Sequence, residues 1–190
     1  SICRGCQGES PFIPMDCEDT ARPELRAVRV EDAVGKKTLH DMTRIEPGKS
    51  KGPEFTAGQE LTPGDVCRLQ TMGRDMVYTS DSAPDKGFVH ENDAVKKFAQ
   101  AMVGRNIEYG EPHEGKITFR AAANGLFTID RSKLVRFNLV PDVMCATRHH
   151  NTVALKGKSV AGSRAIPLYI SPQVLETAMD VLEGDSLFAV

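Results

Sequence analysis

The hydrophobic pattern of this chain changes period every few residues, and that limits the folds open to it. Short alternating runs at Ala27–Val30, Lys37–Ile45, Met76–Thr79, Lys116–Ala121, Leu126–Ile129, Val143–Thr147, Thr152–Leu155 and Arg164–Ile170 read as strands. Helical spacing is rarer. Glu31–Gly35 makes one turn closed by glycine, and Thr62-Pro63 opens a helix that runs to Gly73. Asn92 or Asp93 caps a helix through Val103 with Ala94, Val95, Phe98, Ala99 and Met102 on one face. Ser171-Pro172 opens a last one, with Val174, Leu175, Ala178, Val181 and Leu182 as its stripe and Gly184 as its stop. Strands outnumber helices and the helices fall at the edges, so the expected class is α+β, two small lobes of β-barrel-like or β-clip-like strands with peripheral helices.

Punctuation divides the chain. Residues 1–26 carry Gly5, Gly8, Pro11, Pro14 and Pro23 with no apolar period and read as an extended, cysteine-bearing arm. Residues 27–80 form the first lobe, interrupted by a loop at Pro47-Gly48 and Gly52-Pro53. Asp81–Gly87 has linker composition, and residues 88–190 form a second, β-rich lobe. A chain of 190 residues with 40% hydrophobic residues can bury a core. Its 24 Lys and Arg against 26 Asp and Glu leave a formal charge of −2, so no global field draws it to nucleic acid or a membrane. Tryptophan is absent and aromatics are 6%, which leaves little for base stacking. No apolar run is long enough to cross a bilayer and Ser1–Thr20 lacks a signal-peptide layout, so a cytoplasmic address is expected.

Charge is uneven locally. No acid occurs between Asp142 and Glu176, while Arg148, His149, His150, Lys156, Lys158 and Arg164 all fall there. Fork-shaped and point-charge donors on adjacent strands suit phosphate, carboxylate or another anion; the alternative reading is a solvated face paired with acids elsewhere. His149 and His150, if both on a strand, point to opposite faces and do not share a metal. His90-Glu-Asn-Asp93 precedes a helix and reads as its cap, and Glu114-Gly115-Lys116 reads as a tight turn into a strand. Five cysteines, an odd count, argue for reduced thiols. Cys3 and Cys6 with Cys17 offer half of a zinc pattern, and Cys67 and Cys145 read as small buried hydrophobes. No motif nominates a nucleophile.

Longer-range order adds a resemblance. The series Val30-Glu-Asp-Ala-Val-Gly35, Leu39-His-Asp-Met-Thr43, Ile45-Glu-Pro-Gly48 and Thr62 to Gly73 continues with His90-Glu-Asn-Asp-Ala94 and Glu114-Gly-Lys116. Then come Ala146-Thr-Arg-His149, Ala161-Gly162 and Arg164-Ala-Ile-Pro-Leu168. From about Ala27 to Val190 this order resembles bacterial molybdopterin-binding proteins related to the molybdopterin molybdotransferases and the E domain of gephyrin. The resemblance implies a role in making or handling the molybdenum cofactor. The ligand would be molybdopterin or its adenylate, with molybdate and magnesium as further components and a homodimer as the assembly. It implies an N-terminal region whose catalytic pterin-binding domain lies beyond this chain, so that catalysis is not expected of the chain alone. On this reading Arg148, His149, Lys116 and Arg164 contact the anionic ligand, and Glu114 orients it or a metal.

Two other classes fit the residues. A non-catalytic interaction module would use the basic strip to dock an acidic partner. A metal-dependent small-molecule lyase would use His149 as base and hold its metal with His90 and Glu114.

Overall fold

The computed structural model describes residues 12–16, 18–46, 50–84 and 87–190. The fold is α+β: among the described residues there are four α-helices and many short antiparallel strands in small sheets, none of which closes into a barrel. No helix among the described residues is long and apolar enough to cross a membrane. The chain divides into two compact units. One is Pro23–Lys86; the other joins Gly87–Val190 with the described residues before Pro23.

In the unit Pro23–Lys86, strand β1 (Val28–Arg29) pairs with β4 (Met76–Val77), and β2 (Met42–Glu46) pairs with β3 (Ser50–Phe55), both antiparallel. A single 3-10 turn, Val30–Ala33, follows β1, and Gly35 ends it at φ +80°, where glycine carries no steric cost. Helix α1 (Pro63–Thr71) begins as its sequence predicts: proline occupies the first turn and Asp65 reaches back to the Thr62 N–H at 3.0 Å. Val30, Ala33, Met42, Phe55, Leu61, Leu69 and Val77 form the core. The expected loop at Gly52-Pro53 is instead part of β3. Among the described residues β3 pairs with β2 alone, a two-stranded setting in which a strand proline is tolerated, and the register shifts beside Pro53, between Met42 and Thr43. Pro47-Gly48 lies outside the described residues.

The larger unit carries β5 (Val89–His90), α2 (Glu91–Met102), β6 (Ile107–Tyr109), β7 (Lys116–Ala121) and β8 (Gly125–Ile129). It continues with α3 (Arg131–Asn138), β9 (Val143–Thr147), β10 (Thr152–Ala154), β11 (Ser159–Ala165), β12 (Tyr169–Ile170), α4 (Pro172–Leu182) and β13 (Phe188–Ala189). Its main sheet has the order β6-β7-β11-β9, beside a three-stranded β10-β8-β13 and a β12-β5 pair. Helix α2 packs on β7 and β11 and against α4. The alternation in β7 explains that arrangement: Ile117, Phe119 and Ala121 are buried while Lys116 and Arg120 are exposed. Phe98 meets Phe137 edge-on, and Phe119 meets Phe188 in the same way, within one continuous core.

Three local expectations change. Helix α2 is capped not by Asn92 or Asp93 but by His90, whose Nδ1 accepts the Asn92 N–H at 3.2 Å. The expected strand Arg164–Ile170 is two strands, β11 and β12, and α3 was not anticipated. The segment Phe12–Arg22 lies against the larger unit. Ile13 and Met15 pack on its core, Ser171 Oγ donates to the Asp19 carbonyl, and Arg22 bridges Asp142 at 2.6 Å.

Candidate functional site

The site grows from a hairpin turn. His113 and Lys116 exchange backbone hydrogen bonds of 2.8 and 2.9 Å across Glu114-Gly115, which sit at φ +49° and +67°. Positive φ at both central residues is the turn whose twist matches its strands, and it favours glycine at the second position. Two neighbours hold its tip. The Gly115 N–H donates to Asn92 Oδ1 at 3.0 Å, and a Cβ at Gly115 would stand 2.5 Å from Glu91 Oε2 and 2.8 Å from the Ala165 carbonyl oxygen. The start of α2 thus braces the hairpin that launches Lys116 into β7.

Opposite Lys116 stands Arg164 of β11. Ala165 N–H donates to Gly115 O at 3.0 Å just outside the pair, so Lys116 and Arg164 form a non-hydrogen-bonded pair, the spacing at which facing side chains come closer. Both side chains are exposed on the face away from α2. The next row on that face is Thr118, Gly162 and Ala146, one residue from each of β7, β11 and β9. Arg120 follows on β7, with Glu108 of β6 across from it and a guanidinium bond to the Gly157 carbonyl at 3.3 Å. Lys116, Thr118, Arg120, Ala146, Gly162 and Arg164 line a groove of about 570 Å³ that Met144 flanks beside Arg164. Its floor is low because Gly162 has no side chain and Ala146 has one carbon.

Arg148 lies just past β9, its N–H donating to Val160 O at 2.8 Å, and it continues the outward alternation of Met144 and Ala146. Among the described residues, Lys116, Arg148 and Arg164 have no ion-pair partner. Arg120 likewise has no ion-pair partner among the described residues, so the face offers four uncompensated cations over a shallow, small-residue floor. It can hold an anion by charge-assisted bonds.

Of the residues singled out from the sequence, Lys116 and Arg164 meet directly and line the groove, while Arg148, just past the end of β9, lies beyond the groove lining. His149 does not join them: it lies in the turn after β9, where its carbonyl accepts the Thr152 hydroxyl at 2.7 Å. Glu114 sits at the hairpin tip, not in the groove lining. His150 Nδ1 accepts the Ile129 N–H at 2.9 Å, which gives that imidazole a structural task. Arg120, Thr118 and Gly162 as a groove floor escaped sequence reasoning; the alternation of β7 already marked Arg120 and Lys116 as face-sharing, but its pairing with β11 is not a local signal. Among the described residues no three His, Cys, Asp or Glu side chains gather as a metal would need. Cys3, Cys6 and Cys17 lie outside the described residues.

Cys145 is buried as expected, and burial pushes its thiol up to about 12. Cys67 is instead exposed, because α1 turns Asp65 and Leu69 inward.

Residues 27–81 match the family model of a domain of unknown function (DUF8806), a stretch within the smaller unit that supplies no residue of the groove lining. No curated protein and no solved structure matches the chain.

Proposed function

We propose that this chain serves in making or handling the molybdenum cofactor, and that the open face of β7, β11 and β9 takes the phosphate or adenylate end of that anionic ligand. The observation that carries the reading is the pairing of Lys116 with Arg164, two like charges directly opposite and without an acid between them. Like charges placed opposite each other cost stability, so a bound anion supplies what the sheet itself lacks. A second observation supports the choice of ligand. The stretches on which the resemblance to molybdopterin-binding proteins rests are far apart in sequence, yet Lys116, Ala146, Arg148, Gly162 and Arg164 share one face and Asn92 braces it. Lys116 and Arg164 would hold the phosphate, and the pterin dithiolene would supply the metal-binding chemistry. In this reading the chain binds and presents its ligand, as a homodimer, and makes no bond itself.

Calorimetric titration of the whole chain with AMP and with molybdate tests the proposal, alongside its mass in solution. Micromolar affinity for AMP, about −8 kcal/mol, is expected. Gly162→Val should abolish it in a folded protein, since a Cβ there stands 3.4 Å from the Ile117 carbonyl oxygen and 3.8 Å from Lys116 Cε and projects into the groove. A folded chain that gives no heat with either anion overturns the reading.

A further inference from the structure

We infer that the ligand of this groove carries two anionic groups, one at each end of a flat uncharged body, and that Arg120 and Arg148 hold the second. The inference rests on the anion-binding reading above and deepens it. Lys116 and Arg120 lie four residues apart on one strand and on one face, a separation of about 13 Å at the rise of a β-strand. Arg164 accompanies Lys116 at the near end. At the far end Arg148 stands two strands from Arg120, about 10 Å across the sheet, which long guanidinium side chains can close from both sides. The charges are therefore divided between two ends and do not form one cluster.

The row between the two ends is of another kind. Thr118, Gly162 and Ala146 carry no charge and rise little above the backbone, so the middle of the groove is a flat strip three strands wide. A planar ring system can lie on it, with the exposed Met144 thioether at its edge. A single phosphate fits either end but leaves the strip bare. A long peptide or a nucleic-acid strand would ask for cations along the whole track, and the middle has none. Glu108 opposite Arg120 is the one carboxylate facing the far end from the neighbouring strand. The structure records no ion pair between them, so Arg120 keeps its charge for a ligand.

The test compares two rigid probes on the whole chain: biphenyl bearing a phosphate at one end, and biphenyl bearing a phosphate at both ends. The inference expects the bisphosphate to bind at least ten-fold tighter. It also expects the double variant Arg120→Gln, Arg148→Gln to bring the bisphosphate down to the affinity that the same variant shows for the monophosphate. Equal binding of both probes by the unaltered chain overturns the two-ended ligand and leaves the single-anion reading standing. An advantage for the bisphosphate that persists in the double variant overturns the assignment of Arg120 and Arg148. If neither probe binds a folded chain, the anion-binding reading fails and the inference with it.

Discussion

Lys116 and Arg164 face each other across the two central strands of the main sheet, at the closer of the two spacings an antiparallel ladder offers, and no acid neutralises either. Cross-strand neighbours are the unit by which sheets gain or lose stability, and this pair works against the fold. The sheet tolerates it because α2 buries the opposite face. Ile117, Phe119, Cys145, Val160 and Ala165 are all buried there, and their burial outweighs one unfavourable pair on the solvent side.

Relieving the pair should therefore raise stability while it weakens binding. Lys116→Gln keeps a long polar side chain and removes one charge. Unfolding in urea at low salt should show a gain of a few tenths, up to about 1 kcal/mol. The gain should shrink in high salt, where the repulsion is screened. In the same variant AMP affinity should fall at least ten-fold. A loss of stability in Lys116→Gln would mean that the lysine stem packs favourably and that its charge is not the strained element.

The capping network of α1 makes the smaller unit sensitive to acid. The Asp65 carboxylate accepts the Thr62 hydroxyl at 2.7 Å and the Thr62 N–H at 3.0 Å, and Arg68 bonds its other oxygen at 2.9 Å. These bonds, the Thr62 hydroxyl first, hold its carboxyl below the usual carboxylate range. A group depressed in the folded state stabilises fully above its unfolded value and loses that contribution as pH falls through the folded one. Asp65→Asn should thus speed amide exchange in α1 at pH 7, by the equivalent of about 1 kcal/mol for a lost cap. The difference from the unaltered chain should close as pH falls below about 4. A gap as wide at pH 3 as at pH 7 would show that the charge of Asp65 is not what holds the cap.

Thiol chemistry separates the two described cysteines. Cys67 is exposed on α1, while Cys145 is buried in β9, its N–H donating to Asn138 Oδ1 at 2.7 Å and its carbonyl accepting Asn138 Nδ2 at 2.9 Å. With its thiol pushed up to about 12, Cys145 is thiolate at pH 8 in about one molecule in ten thousand, and burial blocks the reagent as well. Brief alkylation of the native chain at pH 8, mapped by peptide mass, should mark Cys67 and spare Cys145 until denaturant is added. Equal labelling of both in the native chain would show that β9 opens away from α3.

What the sequence disclosed was local. Thr62-Pro63 and Ser171-Pro172 announce their helices because a cap and a first-turn proline act within four residues, and both helices begin there. Strands β7 and β9 were legible from alternation alone, each with the bounds observed. The partner of β7 was not, since the Lys116–Arg164 register is fixed by burial against α2 and by the Glu114-Gly115 turn, both properties of the assembled unit. Helix α3 stayed hidden for another reason. Val135 is 58% exposed beside the partly buried Leu134 and the buried Phe137, so its few apolar residues form no stripe. Its Asp130 cap, accepting the Lys133 N–H at 2.9 Å, was the available signal. The basic strip was visible as an acid-free stretch, but only folding shows that Arg148 and Arg164 share a face and that His149 leaves it.

The segment before Pro23 owes its place to a serine with two tasks. Ser171 Oγ accepts the Val174 N–H at 3.1 Å as the cap of α4 and donates to the carbonyl of Asp19, so one hydroxyl ties the start of the helix to the segment. Further ties are the Arg22–Asp142 pair, with Arg22 largely exposed, and the Ile13 N–H to the Leu139 carbonyl at 2.5 Å. Ser171→Ala removes both bonds of the hydroxyl and costs α4 about 1 kcal/mol as a lost cap. It should also release the stretch around Asp19, so that a glutamate-specific protease cuts after the exposed Glu18 several-fold faster than in the unaltered chain. Ser171→Thr keeps the hydroxyl and should restore the slower rate. If Ser171→Ala destabilises α4 but cleavage at Glu18 does not change, the apolar seat of Ile13 and Met15 holds the segment, and the bond to Asp19 is incidental to it.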